Sequence, residues 1–277
     1  TLGFRGEALA SIASVSRLRL TTRATIDGKP QESGWTIGAS GDQREQAIPA
    51  ATSPGTVVEI RDLFFNTPAR RKFMRGASTE FGHINELLTR IATVHPRVSF
   101  SLTHNGRKVM DAPPNQTLRQ RCLELLGKEL DEAMLEFESD EAMEAGGVKL
   151  WGLAGLPAIA RATTKFQYLC VNGRPIRDRN LNHAVKEAYR GLVPADKHPM
   201  AVVFITMDPQ LVDVNVHPAK SEVRFHEPGK MHGLVLSALR QRLLGSDLTP
   251  KAEFPLSKLR LADDAASDSV PEPSMNA

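Results

Sequence analysis

Long apolar runs are missing from this chain of 277 residues. No stretch approaches the ~18 consecutive apolar residues of a membrane-spanning helix. The N-terminus lacks the charged-then-apolar layout of a signal peptide. It also lacks an initiator Met, so Thr1 is expected to lie inside a longer protein. Cysteine is scarce. Cys122 and Cys170 form no CxxC pair, which argues against a disulfide framework or a zinc site and fits a reducing cytoplasm. Aromatic residues make up only 5% of the chain. With no aromatic ladder and no recognition-helix pattern, any DNA contact would be to the backbone and largely independent of sequence.

What is present is an ordinary globular composition, 41% hydrophobic and 24% charged, which excludes disorder over most of the length. The net charge of +3 is unevenly placed, because from Gly245 onward three basic residues face six acidic ones. The body is therefore moderately basic, which permits a polyanionic partner without demanding one. Two prolines in the polar stretch Asp111-Ala112-Pro113-Pro114-Asn115 mark an internal boundary. The expected organisation is a first α/β domain over 1–113, a second α/β (α+β) domain over 116–245 and a disordered acidic linker over 246–277. In the second domain, alternating strands and helices predict helices packed on one sheet face.

Four motifs could carry chemistry. In Gly3-Phe4-Arg5-Gly6-Glu7-Ala8-Leu9 two glycines precede a short helix. Bare backbone and unpaired first-turn amides suit a phosphate chain, although a plain helix-starting turn has the same spacing. In the strand Thr56–Ile60 the Thr56 hydroxyl could bond a ligand, or simply favour the strand. The loop after it carries Arg70, Arg71, Lys72 and Arg75, either a solvated surface or a polyanion contact. In Val212–Lys220 a strand ends at His217-Pro218, and Lys220 on the following loop could meet a terminal phosphate or remain a surface charge. Finally, Asn172-Gly173 signals a turn, with Arg174, Arg177 and Arg179 close behind. These arginines could grip phosphodiester oxygens, or pair internally with Asp178.

Taken in order, GFRGEALASI, GTVVEIRDLFFNTPARRKF, VNGRPIRDR and VDVNVHPAKSEVRF closely resemble the N-terminal region of MutL-type DNA mismatch repair proteins. These belong to the GHKL ATPase superfamily, with gyrase B subunits, a chaperone family and histidine kinases. The resemblance covers about 1–244. It implies a partial Bergerat-type ATP-binding sandwich followed by a second, ribosomal-protein-like α/β domain. By the same resemblance Gly3, Phe4, Arg5, Gly6, Glu7, Ala8 and Leu9 would wrap the ATP phosphates and Thr56 would reach the adenine end. Lys220 would be the catalytic lysine at the γ-phosphate. Arg179 would contact DNA, with Arg174 and Arg177 as weaker neighbours.

The function implied is an ATP-driven switch that dimerises with itself, clamps double- or single-stranded DNA and couples mismatch recognition to strand incision. Mismatch-recognition and incision or helicase proteins would be its partners, in a cytoplasmic, nucleoid-associated setting without a membrane. The cofactors implied are ATP and Mg2+. The family's catalytic Glu, Mg2+-binding Asn and adenine motif lie upstream of the phosphate loop, so the metal ligand is not expected here. Nor is ATP turnover or a stable first domain expected from this stretch alone. Two alternatives are another GHKL ATPase of topoisomerase or chaperone type, against which PARRKF and NGRPIRDR speak, and a non-catalytic nucleic-acid-binding scaffold.

Overall fold

A computed structural model describes residues 7–139, 147–214 and 222–246. The chain divides into two compact units, 1–80 and 81–277. Among the described residues no helix is long and apolar enough to cross a membrane.

In the first unit a short helix α1 (Ala8–Ala13) leads into strand β1 (Arg17–Arg23), where Leu18 is buried between exposed arginines. A two-strand excursion, β2 (Thr25–Ile26) and β3 (Lys29–Pro30), turns at Asp27-Gly28, both with positive φ. Then come β4 (Gly34–Ser40), β5 (Gln43–Arg44), β6 (Ile48–Ala50) and β7 (Gly55–Arg61). The sheet order is β5-β4-β1-β7, with β6 also paired to β4, and every pairing is antiparallel. Strand β7 has no described neighbour on its outer edge. Its apolar side chains are open on both faces: Val57 is 61% exposed, and Val58 and Ile60 are exposed too. A single turn α2 (Pro68–Arg71), with proline at its first position, closes the unit.

The second unit takes up most of helix α3 (Ala77–Val94), then hairpin β8 (Phe100–His104) and β9 (Arg107–Ala112), turning at Asn105-Gly106 as its sequence predicts. Helix α4 (Leu118–Leu126) follows, started by a capping box in which Thr117 and Gln120 each bond the other's backbone amide. A mixed sheet comes next, built from β10 (Met134–Ser139), β11 (Lys149–Gly155), β12 (Gln167–Val171), β13 (Arg174–Ile176) and β14 (Ala201–Thr206). Its order is β10-β11-β14-β12-β13, with only β12 and β14 parallel. Helix α5 (Arg179–Ala188), the short pair β15 (Val212–Asp213) and β16 (Arg224–Phe225), and helix α6 (Pro228–Leu244) complete the unit.

Helices cover both faces of this sheet, not one as the sequence suggests. Leu169 and Val171 of β12 pack with Leu181, Val185, Val235 and Leu239 of α5 and α6. The alternate residues Tyr168 and Cys170 pack on the other face with Cys122 of α4 and Leu130. Strands β12 and β14 are buried almost throughout, and near-continuous apolar runs of this kind are the mark of a sheet covered on both faces. Gly152 on β11 lies so close to the Val202 carbonyl of β14 that any side chain there would collide with backbone.

The division between the units falls earlier than the proline stretch at 113–114, and Arg121 is one residue that ties the intervening chain to the second unit. Arg121 is 0% exposed. Its Nε donates to Gln116 Oε1 at 2.5 Å, Nη1 to the carbonyls of Ala92 and His95 at 2.8 and 3.3 Å, and Nη2 to those of Pro96, Val98 and Pro113 at 3.1, 2.7 and 2.6 Å. Its guanidinium also lies 5.7 Å from the Phe100 ring. The end of α3 and both ends of the β8–β9 hairpin are thus gathered onto α4 by one side chain.

Candidate functional sites

The first-turn amides of α1 belong to a helix whose N-cap, Glu7, makes no side-chain capping bond. Glu7, Ala8 and Leu9 are all exposed. The helix is held instead at its C-terminal end. Ser16 Oγ donates to the Ile12 carbonyl at 2.7 Å, Asn66 Nδ2 to that of Ser14 at 2.9 Å, and the Phe64 amide to that of Val15 at 2.6 Å. The loop after β7 therefore anchors the C-terminal end of α1 through Phe64 and Asn66, and Asp62 and Phe64 turn the chain there with positive φ. Gly3, Phe4, Arg5 and Gly6 lie outside the described residues.

Thr56 faces Thr22 of β1, with the two hydroxyls 2.8 Å apart. Thr22 Oγ1 also donates to the Gly55 carbonyl at 3.2 Å. With its one hydrogen engaged there, Thr22 accepts from Thr56, which leaves the Thr56 lone pairs open to an outside donor. Beyond β7, Arg70, Arg71, Lys72 and Arg75 are exposed without an ion-pair partner among the described residues. Phe73 stands among them, 86% exposed.

In the second unit the Asn172-Gly173 turn joins β12 to β13 with φ of 49° and 77°. These are the two left-handed residues that a two-residue hairpin of this twist needs. Asn172 does more than turn the chain. Its Nδ2 donates to the Met207 carbonyl and its Oδ1 accepts from the Met207 amide, both at 3.0 Å, clamping the hairpin onto the end of β14. Replacing Asn172 with Ala removes both bonds and keeps the unfavourable φ. It is expected to cost about 1–3 kcal/mol of second-unit stability, measured by denaturant unfolding. Asn172→Asp, which keeps only the acceptor, should fall between.

The three arginines after this turn divide by environment. Arg174, on β13, is half-buried and engaged within the protein. Arg177 pairs with Glu86 of α3 at 2.7 Å. The same carboxylate holds Arg90 at 3.1 Å, whose guanidinium reaches the Gln167 carbonyl at 3.2 Å and lies 5.2 Å from the Tyr168 ring. The internal pairing with Asp178 weighed from the sequence is replaced by this one, because Asp178 caps α5 by accepting from the Leu181 amide at 2.8 Å. Arg179, the first residue of α5, is exposed and has no ion-pair partner among the described residues. Glu86 and Arg90 escaped the sequence reading, although their spacing of four on one helix marks them as a pair. Lys220 lies outside the described residues.

Both thiols are inert by environment. Burial raises the pKa of Cys122 and of Cys170 to about 12, against opposing effects of Arg121 and of the Gly173 backbone respectively. Among the described residues no group of three or more His, Cys, Asp or Glu could hold a metal ion.

Known proteins place this architecture. The crystal structure of the N-terminal domain of a DNA repair protein superposes with a TM-score of 0.74 at 21% identity, covering 88% of this chain and 76% of that one. The MutL ATPase domain of Aquifex aeolicus complexed with ADP superposes with a TM-score of 0.57 at 27% identity, covering 74% of this chain and 73% of that one. The fold is thus an α/β fold of the GHKL ATPase type. Residues 122–244 match the family model described as "DNA mismatch repair protein, C-terminal domain". The DNA mismatch repair protein MutL of Paramagnetospirillum magneticum is 44% identical over 250 residues, which cover 88% of this chain and 40% of that protein. The chain belongs to the MutL-type family of DNA mismatch repair proteins and spans about two fifths of that relative's length.

Proposed function

We propose that the whole protein is an ATP-driven mediator of DNA mismatch repair. ATP binding joins two copies around DNA, and hydrolysis releases them, coupling mismatch recognition to strand incision. The observation that carries this reading is the 44% identity to a mismatch repair protein across 88% of the chain, a span that includes most of the quoted motifs. The ADP complex of the Aquifex aeolicus domain supports nucleotide as the ligand. In this reading an ATP-binding domain runs to about Pro113 and a DNA-contacting domain over 116–245, with the acidic linker beyond.

The residues present fit a nucleotide. The uncapped N-terminus of α1 offers amides to phosphate oxygens. The open lone pairs of Thr56 match the amino hydrogens of adenine, directly or through water. Gly3, Phe4, Arg5 and Gly6 would bring bare backbone to the phosphates, and the ammonium of Lys220 would meet the γ-phosphate. A charge-assisted contact of that kind exists only in the triphosphate state, so it biases a two-state equilibrium by which nucleotide is bound. Mg2+, when bound, neutralises phosphate charge, and no residue of this stretch is assigned to hold it.

DNA would lie against Arg179, with Arg177 and Arg174 adding charge from positions already engaged in the protein. Mismatch-recognition and strand-incision or helicase proteins are the partners of this scheme, in a cytoplasmic, nucleoid-associated setting.

Lys220→Ala in the full-length protein tests the nucleotide half. ATP turnover should fall by about 100-fold or more, the scale on which loss of one charged transition-state contact acts, with DNA affinity nearly intact. Unchanged turnover would remove Lys220 from the site. A non-hydrolysable ATP analogue should drive the intact protein to dimers in sedimentation, which a non-catalytic scaffold would not do.

A further inference from the structure

Helices α5 and α6 pack through Leu181, Ala184, Val185, Met231, Val235 and Leu239, and at the solvent-facing margin of that contact two histidines meet. Nδ1 of His183 lies 3.0 Å from Nε2 of His232, with ring centroids 5.3 Å apart and planes inclined by 30°. His183 is exposed and His232 half-buried, so water and solutes reach the pair from outside. Both helices are fixed independently of the histidines. The apolar seam holds their faces together, Asp178 caps α5, and Asn180 Nδ2 donates to the Pro228 carbonyl at 2.8 Å.

We propose that His183 and His232 form a two-imidazole site for a borderline divalent metal ion, of the Cu2+, Ni2+ or Zn2+ class, bridging α5 and α6. Metal–nitrogen bonds of about 2.0–2.1 Å at square-planar or tetrahedral angles place two ligand nitrogens about 2.9–3.4 Å apart. The observed separation falls inside that window, and because the two nitrogens meet head-on each ring must tilt by roughly 35–45° to aim its lone pair at a common point. Imidazole suits these ions and not Mg2+ or Ca2+, which take oxygen donors.

In the metal-free pair one ring donates its hydrogen to the other. On binding, that hydrogen moves to the far nitrogen of its own ring by exchange with water, both imidazoles stay neutral, and no net proton is released. Protonating either ring removes a ligand, so affinity falls as the solution becomes acidic.

The nearby charges leave the site to the histidines. Glu187, one turn along α5, pairs with Arg190 at 2.6 Å, and Glu227 at the start of α6 pairs with Lys230 at 3.1 Å. Lys186 reaches the Ala195 carbonyl at 3.0 Å. With two protein ligands, the remaining coordination positions are water. They open on the side of α5 that Arg179 shares with His183, four residues apart.

The test is a Cu2+ titration of the full chain near pH 7.5, followed by electron paramagnetic resonance, with Ni2+ in parallel thermal unfolding. Expected are a spectrum with two nitrogen ligands and a melting temperature raised by Ni2+. In His183→Ala and in His232→Asn, copper affinity should drop by about tenfold or more, the usual loss when a second tethered ligand is removed. His83→Ala, an exposed histidine on α3, should leave it unchanged. A one-nitrogen spectrum, wild-type affinity in both pair variants, or loss in the His83 variant alone would each overturn the site and leave His183 and His232 as an interhelical hydrogen bond only. Circular dichroism of each variant guards against misfolding, and His183→Gln repeats the measurement should the alanine variant unfold.

Discussion

Leucine in place of Arg121 is expected to destabilise the second unit by about 3–5 kcal/mol, because several buried carbonyls lose their donor at about 1–3 kcal/mol each before relaxation. The guanidinium offers five N–H donors and the structure presents six oxygen acceptors to it, five of them backbone carbonyls. None is a carboxylate. Burial lowers the pKa of Arg121, while Cys122 and Glu124 act in the opposite sense, and the ordinary guanidinium value is high enough that the group stays charged. Leucine matches part of the volume but leaves those carbonyls facing an apolar side chain at the end of α3 and in the β8–β9 hairpin. Lysine should recover only part of the loss, because three donors on one nitrogen cannot span the same set. Urea unfolding of the full chain, followed through Trp151 on β11, measures the difference. A loss below about 1 kcal/mol for the leucine variant would mean that water satisfies the carbonyls, and that Arg121 does not hold 81–113 to the second unit.

That residue also explains where the sequence was silent. Helix α1, strand β7, the strand starting at Val212 and the Asn172-Gly173 turn were legible because local signals and tertiary packing agree there. Period-two patterns and left-handed turn residues each point to one local structure. Arg121 sits in an ordinary helical pattern between Gln120 and Cys122, and nothing local distinguishes a buried arginine from a solvated one. Its partners lie 5 to 29 residues away. The same limit hid the clamp of Asn172 on Met207, since only the turn half of its role is written in neighbouring residues. The turn α2, which reads as part of a basic loop, was missed because it is a single turn. At the candidate sites the reverse holds. The arginines after Gly173 were visible as a cluster, yet only the fold separates exposed Arg179 from Arg177, which is tied to Glu86.

This separation sets the second large effect. If DNA lies against the start of α5, Arg179→Glu in the full-length protein should weaken binding to duplexes of any sequence alike. It should also lower the slope of log K against log salt by about 1, as expected when one phosphate contact and its released counterion are lost. Reversing the charge adds repulsion to the lost contact, so the affinity loss should be largest at low salt, about tenfold or more, and shrink as screening grows. Nucleotide binding should not change, since Arg179 caps nothing and pairs with nothing among the described residues. Arg177→Glu makes the informative contrast. It would set a second carboxylate against Glu86 in place of the present ion pair and cost stability, whether or not DNA touches it. A filter-binding or anisotropy titration over a salt series, run beside urea unfolding, tells the two apart. Arg179→Glu should move the salt slope and leave the unfolding midpoint, whereas Arg177→Glu should move the midpoint first. If the Arg179 slope stayed at the wild-type value, phosphate would lie elsewhere, and the exposed cations Arg70, Arg71, Lys72 and Arg75 of the first unit would be the next to reverse.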